Sequence, residues 1–184
     1  MGDSMKDDFA IILDFFPHGK PGDRRAEPVA QAVGEKLFSL LEIVIKEGKE
    51  VKPGDRVYIG EGKWDVVKYI RGRIKYSELT NFAKSELENV IQNLVASNEA
   101  RFINFFNKAM PLTTRSHMLE LLPGIGKKHL WQILSQRKAE PFKSFQDLQE
   151  RVEMLPDPKK MIVKRIINEL EEKDRHKLFV GGLF

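Results

Sequence analysis

Near Thr80 the hydrophobic pattern changes period, and no single regular layer can accommodate both halves of the chain. Before that point apolar residues come in short runs and alternations. Phe9–Phe16 reads FAIILDFF, and Val29–Gly34 and Leu37–Ile45 follow a loop rich in Gly, Pro and charge at residues 18–28. Arg56–Ile59 is a short apolar-polar stretch between two glycine turns, and in the next run Ile70, Gly72, Ile74 and Tyr76 alternate with Tyr69, Arg71, Arg73 and Lys75. Such runs have the period of two of half-buried strands. A helix over 30–45 competes for the second and third runs, but the β-branched finish Ile43-Val44-Ile45 favours strands. After Thr80 the spacing becomes three and four: Leu79, Phe82 or Ala83, Leu87, Val90, Ile91, Leu94 and Val95. That is the stripe of an amphipathic helix capped by Thr80. Asn98 is the expected cap of a second helix, with Glu99 in its first turn, Phe102, Ile103, Phe105 and Phe106 buried, and Pro111 at its end. The predicted class is therefore α+β, with five strands at 9–16, 29–34, 37–45, 56–59 and 66–75 ahead of the helices.

Further helices are predicted near 114–122, 127–138, 144–151 and 159–173. Leu178-Phe179-Val180, close to the end, is a candidate returning strand. The expected organisation is a β-rich domain over 8–76, a helical bridge over 77–111, a helical unit over 112–175 and a tail over 176–184.

The densest signal lies at Leu119–Ile133, LELLPGIGKKHLWQI. Met118, Leu119, Leu121 and Leu122 form one apolar group, and Leu130, Trp131, Ile133 and Leu134 another. Between them stand Pro-Gly-Ile-Gly and two lysines. The pattern predicts two short helices joined by a tight turn that Ile125 pins to the interior. Gly124 and Gly126 allow unusual backbone angles and close approach by another chain. At the start of the second helix, several N–H groups lack an internal acceptor and carry the positive end of the helix dipole. An anion such as a backbone phosphate fits that place. Lys127 and Lys128 add point charges that read no base.

In these residues the chain resembles the helix-hairpin-helix motif of DNA-repair enzymes, ligases, polymerases and recombination proteins. Leu122, Pro123, Gly124, Ile125, Gly126 and Lys127 to Leu130 carry the likeness. It implies that Gly124, Ile125, Gly126, Lys127 and Lys128 grip phosphate without sequence preference. A degenerate second copy follows at a shift of 33 residues, where Leu155-Pro156 matches Leu122-Pro123 and Lys160 matches Lys127. Asp157 and Pro158 replace the glycine and isoleucine, so Asp157 is expected to cap the next helix and Pro158 to occupy its first turn. In doubled hairpins of this kind the pairs pack as one unit around a connector, here Phe142, Phe145 and Leu148. Lys160, with Lys159, Lys164 and Arg165, is a candidate for a more distant phosphate. The five strands suggest a small barrel similar to the oligonucleotide-binding (OB) fold. In it Tyr69, Arg71, Arg73 and Lys75 would share one face, with Trp64 and Tyr58 nearby, offering stacking and charge to a single strand. An OB-like barrel followed by a tandem helix-hairpin-helix unit also resembles an uncharacterised family conserved in archaea, over nearly the whole chain. That family is associated with nucleic-acid or nucleotide binding and supplies no reaction.

Charge and composition narrow the classes. Of 184 residues, 31 are Lys or Arg and 27 Asp or Glu, and the surplus of +4 falls wholly after residue 110. With no cysteine there is no disulfide, thiolate zinc site, iron–sulfur cluster or cysteine nucleophile. No apolar run approaches the ~18 residues of a membrane span. The acidic start MGDSMKDDF does not look like an export signal, which predicts a cytoplasmic protein. His18, His117, His129 and His176 form no compact ligand set, Ser39 and Ser135 lack a base, and GEGKW at 60–64 lacks phosphate-loop spacing. Neither a metal nor a cofactor is expected. The leading expectation is a non-enzymatic protein that binds DNA or RNA backbones, with a protein complex as a further possible partner. The alternatives are a protein–protein adaptor in a nucleic-acid-processing complex and a small metal-dependent nuclease using Asp7, Asp8 and Asp14.

Overall fold

The structure, a computed structural model, describes residues 6–184. The extreme start, Met1–Met5, part of the segment read above for targeting, lies outside them. The chain forms two compact units. One runs to Val90 and takes in Leu170–Leu183; the other holds Ile91–Glu169 and Phe184.

The first unit is built on five strands: β1 (Phe9–Phe16), β2 (Val29–Gly34), β3 (Leu40–Ile45), β4 (Arg56–Tyr58) and β5 (Val67–Arg73). They form one curled antiparallel sheet in the order β4-β1-β2-β3-β5. The edges β4 and β5 do not pair with each other, so the expected barrel is a half-barrel with an open seam. Alternation along the strands sends Ala10, Ile12, Ala30, Ala32, Leu41, Ile43, Ile45, Val57 and Val67 to its concave core. The opposite face is buried as well, including Leu13, Val29, Gln31, Val33 and Val44. This double burial explains why β2 and β3 are apolar on both faces apart from Gln31 and Glu42.

The third strand starts later than the sequence suggested. The Asp7 carboxylate accepts from the amides of Lys36 (2.7 Å) and Leu37 (2.8 Å). Phe38 follows at φ 59°, and the Gly34 amide donates to the Ser39 carbonyl at 2.8 Å. A hairpin loop therefore occupies 35–39, and a residue at positive φ cannot continue a strand.

Helix α1 (Asn81–Ser97) starts where expected. The Thr80 hydroxyl accepts from the Ala83 amide at 3.0 Å and donates to Asp14 at 2.6 Å. The fully buried Gln31 side chain donates to the Glu78 carbonyl and accepts from the Thr80 amide, fixing the helix start to the sheet. Leu178 and Phe179 are buried, but no returning strand forms. They sit in a turn, and the Gly181 amide bonds the Leu37 carbonyl at 3.0 Å.

The second unit holds α2 (Glu99–Lys108), α3 (Lys127–Ala139), α4 (Phe145–Arg151) and α5 (Pro158–Leu170). Asn98 precedes α2 but does not cap it with its side chain. Its amide instead donates to the Leu94 carbonyl and closes α1. The helix expected over 114–122 shrinks to one 3-10 turn, Met118–Leu121. A tight loop takes the groups such a helix would need. The Thr113 hydroxyl accepts from the amides of Arg115 and Ser116, the Leu112 amide bonds Ser116, and the Met118 amide bonds Met110. The core includes Phe102, Phe105, Phe106, Leu119, Ile133 and Ile166, with the connector residues Phe142, Phe145 and Leu148 all buried. Arginines close the helix ends: Arg137 donates to the carbonyls of Phe106 and Ala109 after α2, and Arg151 to those of Gln136 and Glu140 after α3.

Candidate functional site

The turn before α3 brings the five hairpin residues together. Leu122 is buried, Pro123 follows, and Gly124 turns the chain at φ 99°, a conformation a side chain resists. Ile125 points inward, only 6% exposed, and its amide bonds the Leu122 carbonyl. Gly126 is the N-cap of α3 in an extended conformation open to any residue, with nothing within 4 Å of where a Cβ would stand. Its glycine identity therefore matters for open space and not for backbone angle. The first intrahelical bond joins the Leu130 amide to the Gly126 carbonyl. The amides of Lys127, Lys128 and His129 precede that bond and have no acceptor in the helix. No side chain caps them, and the first turn of α3 contains no acid. Gly124, Gly126, Lys127 and Lys128 are exposed.

The two lysines are not equivalent. The Lys127 ammonium donates to Glu120 at 2.7 Å and to the Arg115 carbonyl at 3.0 Å, so its charge is largely answered within the hairpin. Lys128 has no such partner among the described residues. His117, 6% exposed, accepts the Leu119 amide at Nδ1, 3.1 Å, and so starts the 3-10 turn. Its burial, and secondarily Arg137, push its pKa down. It is thus a neutral structural acceptor.

The second turn, residues 155–158, differs from the first in what it leaves open. A Cβ on Gly124 would meet Pro156 Cγ at 3.5 Å and Met161 Sδ at 3.4 Å, so the two turns pack against each other. Asp157 accepts the Lys159 amide at 2.9 Å, as expected of a cap, and Pro158 opens α5. The carboxylate therefore already occupies the place a phosphate would take. Lys160 is exposed. Arg165 is buried, paired with Glu169 at 2.8 Å and directed to the Leu121 carbonyl, which removes it from any ligand.

In the first unit the expected common face of Tyr69, Arg71, Arg73 and Lys75 is divided. Ile43 pairs with Ile70, but Glu42 pairs with Gly72 and Leu41 with Arg73, so Arg71 is an extra residue in a bulge. One extra residue reverses the faces beyond it. Tyr69 and Arg71 lie on the convex side, in an acidic network. The Tyr69 hydroxyl donates to Glu27 at 2.7 Å. Arg71 meets Glu42 at 2.9 Å, Asp23 at 3.4 Å and Glu27 at 3.6 Å. The hydrogen bond to Glu27 raises the Tyr69 pKa, and the Glu27 pKa is lowered in return. Arg73 goes to the concave side beside Leu41 and Ile70, lining a cavity with Trp64. Lys75 is exposed beyond the end of β5.

Two residues were missed. Trp131, assigned above to the apolar group of α3, is 66% exposed. Its spacing of three from Lys128 and four from Lys127 puts it on the lysine face, away from buried Leu130 and Ile133. Glu120, which holds Lys127, lies seven residues before it, and only the turn brings the two together. The carboxylates imagined for a metal are spent separately, Asp7 on the 35–39 loop and Asp14 on Thr80. Among the described residues no group of three or more His, Asp or Glu could hold a metal ion. No helix among them is long and apolar enough to cross a membrane.

These features define an α+β protein with a curled antiparallel half-barrel and a helical unit presenting an open helix start. The chain belongs to the family described as "Protein of unknown function (DUF655)", whose profile matches residues 6–181. It is 45% identical over 176 residues to the "Uncharacterized protein MJ0038" of Methanocaldococcus jannaschii, covering 95% of this chain and 80% of that one. It is also similar to the crystal structure of Af1531 from Archaeoglobus fulgidus, with a TM-score of 0.85 and 47% identity over 95% of this chain and 99% of that one.

Proposed function

We propose that this protein binds nucleic-acid backbones without reading their sequence, through a helix-hairpin-helix centred on residues 122–130. The observation that carries this reading is the exposed start of α3. The Lys127, Lys128 and His129 amides lack helical acceptors, Lys128 stands beside them, and no acid lies in that turn. Such a site holds one phosphate by backbone donors, the helix dipole and a nearby ammonium. Residues 122–130 contain no Arg, Asn or Gln, the side chains that read a base edge with paired hydrogen bonds. The second, aspartate-capped hairpin then acts as the packing partner of the first, with Lys160 available to a neighbouring phosphate. The half-barrel, read as OB-like, contributes a surface for unpaired strands or RNA.

The test is binding of fluorescently labelled DNA and RNA of unrelated sequences across a salt series. Comparable affinities that fall steeply with salt are expected. An affinity indifferent to salt would refute phosphate as the ligand. A protein partner is the second reading, favoured by exposed Trp131 and Met154 (85% exposed). Capture of a protein with undiminished affinity for K128E would support it.

A further inference from the structure

We infer that the open seam of the half-barrel takes one unpaired nucleobase. This rests on the nucleic-acid reading above and names which part of the first unit would be used. The seam holds a cavity of about 480 Å³, within the roughly 300–1,000 Å³ of small-ligand sites. Leu41, Ile59, Ile70 and Trp64 supply apolar wall, and both unpaired edges contribute: Ile59–Glu61 follows β4, and Ile70–Arg73 belongs to β5. The Trp64 indole is held, its N–H donating to the Gly60 carbonyl at 2.6 Å. The bulge at Arg71 is what delivers Arg73 to this side, and Arg73 has no ion-pair partner among the described residues.

The polar lining selects the ligand class. Arg73 and Lys6 stand against Asp7, Asp8 and Glu61. A polyphosphate would meet a lining with more acids than cations, and an aliphatic chain would leave those charges facing apolar carbon. A nucleobase is neutral and flat, with apolar faces for Trp64 and the aliphatic wall. Its edge carries both donors and acceptors, which acids and cations can answer together. A base unpaired from its partner can enter such a slot, whereas a paired one cannot. The single phosphate of that nucleotide would remain outside, towards Arg73.

The experiment uses the full chain carrying Trp131→Phe, which leaves Trp64 as the only indole. Emission is followed while a labelled single-stranded oligonucleotide, the matching duplex or a free nucleoside is added, and label anisotropy reports binding independently. Saturable quenching by the single strand is expected, with none from the duplex although its anisotropy rises. The nucleoside should quench only at far higher concentration, since it lacks the hairpin contact. Arg73→Ala should weaken single-strand binding several-fold and leave the duplex unchanged. Trp64→Leu should cost about tenfold for the single strand, the size of one lost base stack. Anisotropy rising with Trp64 emission unmoved would overturn the seam site while leaving the hairpin reading intact. Quenching by the nucleoside alone, or equally by the duplex, would overturn it too. No anisotropy change with any nucleic acid would remove both.

Discussion

Lys127 and Lys128 are adjacent, yet they should respond differently to mutation because Glu120 holds only one of them. On duplex DNA each neutralised phosphate adds about 0.9 to the slope of log affinity against log salt. At roughly 0.1 M univalent salt that contact is then worth about eightfold in affinity, or about 1.2 kcal/mol. Lys128, with no internal partner, should carry one such contact. K128A is expected to lose about eightfold at that salt and to flatten the slope by about one. Near 1 M salt it should converge on the parent protein. Lys127 begins 2.7 Å from Glu120, so the pair presents little net charge. E120Q leaves the ammonium uncompensated and should raise both affinity and slope, by up to the same eightfold. Deleting both partners, as K127A with E120Q, should change either quantity little.

The assay is anisotropy of a labelled duplex at five or six salt concentrations, with circular dichroism confirming that each variant folds. All four proteins differ only at exposed or half-buried side chains, where substitutions rarely move stability by more than about 0.5 kcal/mol. A K128A loss that persists undiminished at high salt would mean that Lys128 is not a phosphate contact. If the double variant lost as much as K128A, the Lys127–Glu120 pair would not be the neutral unit its geometry describes.

Three further outcomes follow from the same structure. G124A forces a side chain to φ 99° and should destabilise the fold by roughly 1–3 kcal/mol; G126A, in extended backbone with open space, should leave the urea midpoint unmoved yet weaken nucleic-acid binding by crowding the amides. A Cβ on Gly34 would lie 1.7 Å from Asp7 Oδ2, so G34A should be severely destabilising, and a double-mutant cycle with D7A should show strong coupling. Burial raises the Asp7 pKa above its ordinary 3.8 in spite of the amides of Leu37 and Lys36. The folded state therefore binds the proton more tightly than the unfolded one, and this group's contribution falls as pH rises from 3.8 through the raised value. D7N should remove that slope from a urea-midpoint series; an unchanged slope would show that Asp7 is not its source.

Much of the fold was legible because local pattern and tertiary burial agree. FAIILDFF at 9–16, VAQAVG at 29–34 and the Thr80 cap each needed only their own residues. The misreadings occur where a distant side chain or a loop takes over backbone groups. Asp7 reaches 29 residues along the chain to the Lys36 amide and delays β3. Thr113 and Ser116 close a loop that leaves one 3-10 turn where apolar spacing alone read a helix. The bulge at Arg71 reverses a face, because one residue of slip in a period of two exchanges inside and outside. In WDVVKYIRGRIKY only Gly72 hints at that slip, as an isolated glycine inside a strand often marks a bulge; which face is exchanged follows from pairing with β3.

The hairpins carry this lesson into function. By sequence the first was the stronger match and the second a degraded copy, and that difference became structural for a simple reason. Asp157 is a carboxylate at a helix start, the ligand such a start attracts, supplied by the chain itself. Gly126 has no side chain to supply. The two turns touch through Gly124, Pro156 and Met161, so one unit contains a closed and an open helix start. The closed version stabilises its helix without any partner, whereas the open one leaves amides that only water or an external anion can satisfy. Exchanging the caps, G126D with D157G, should accordingly move nucleic-acid affinity away from the first turn and towards the second, where Lys159 takes the place that Lys128 has after Gly126 and is exposed, as is Lys160.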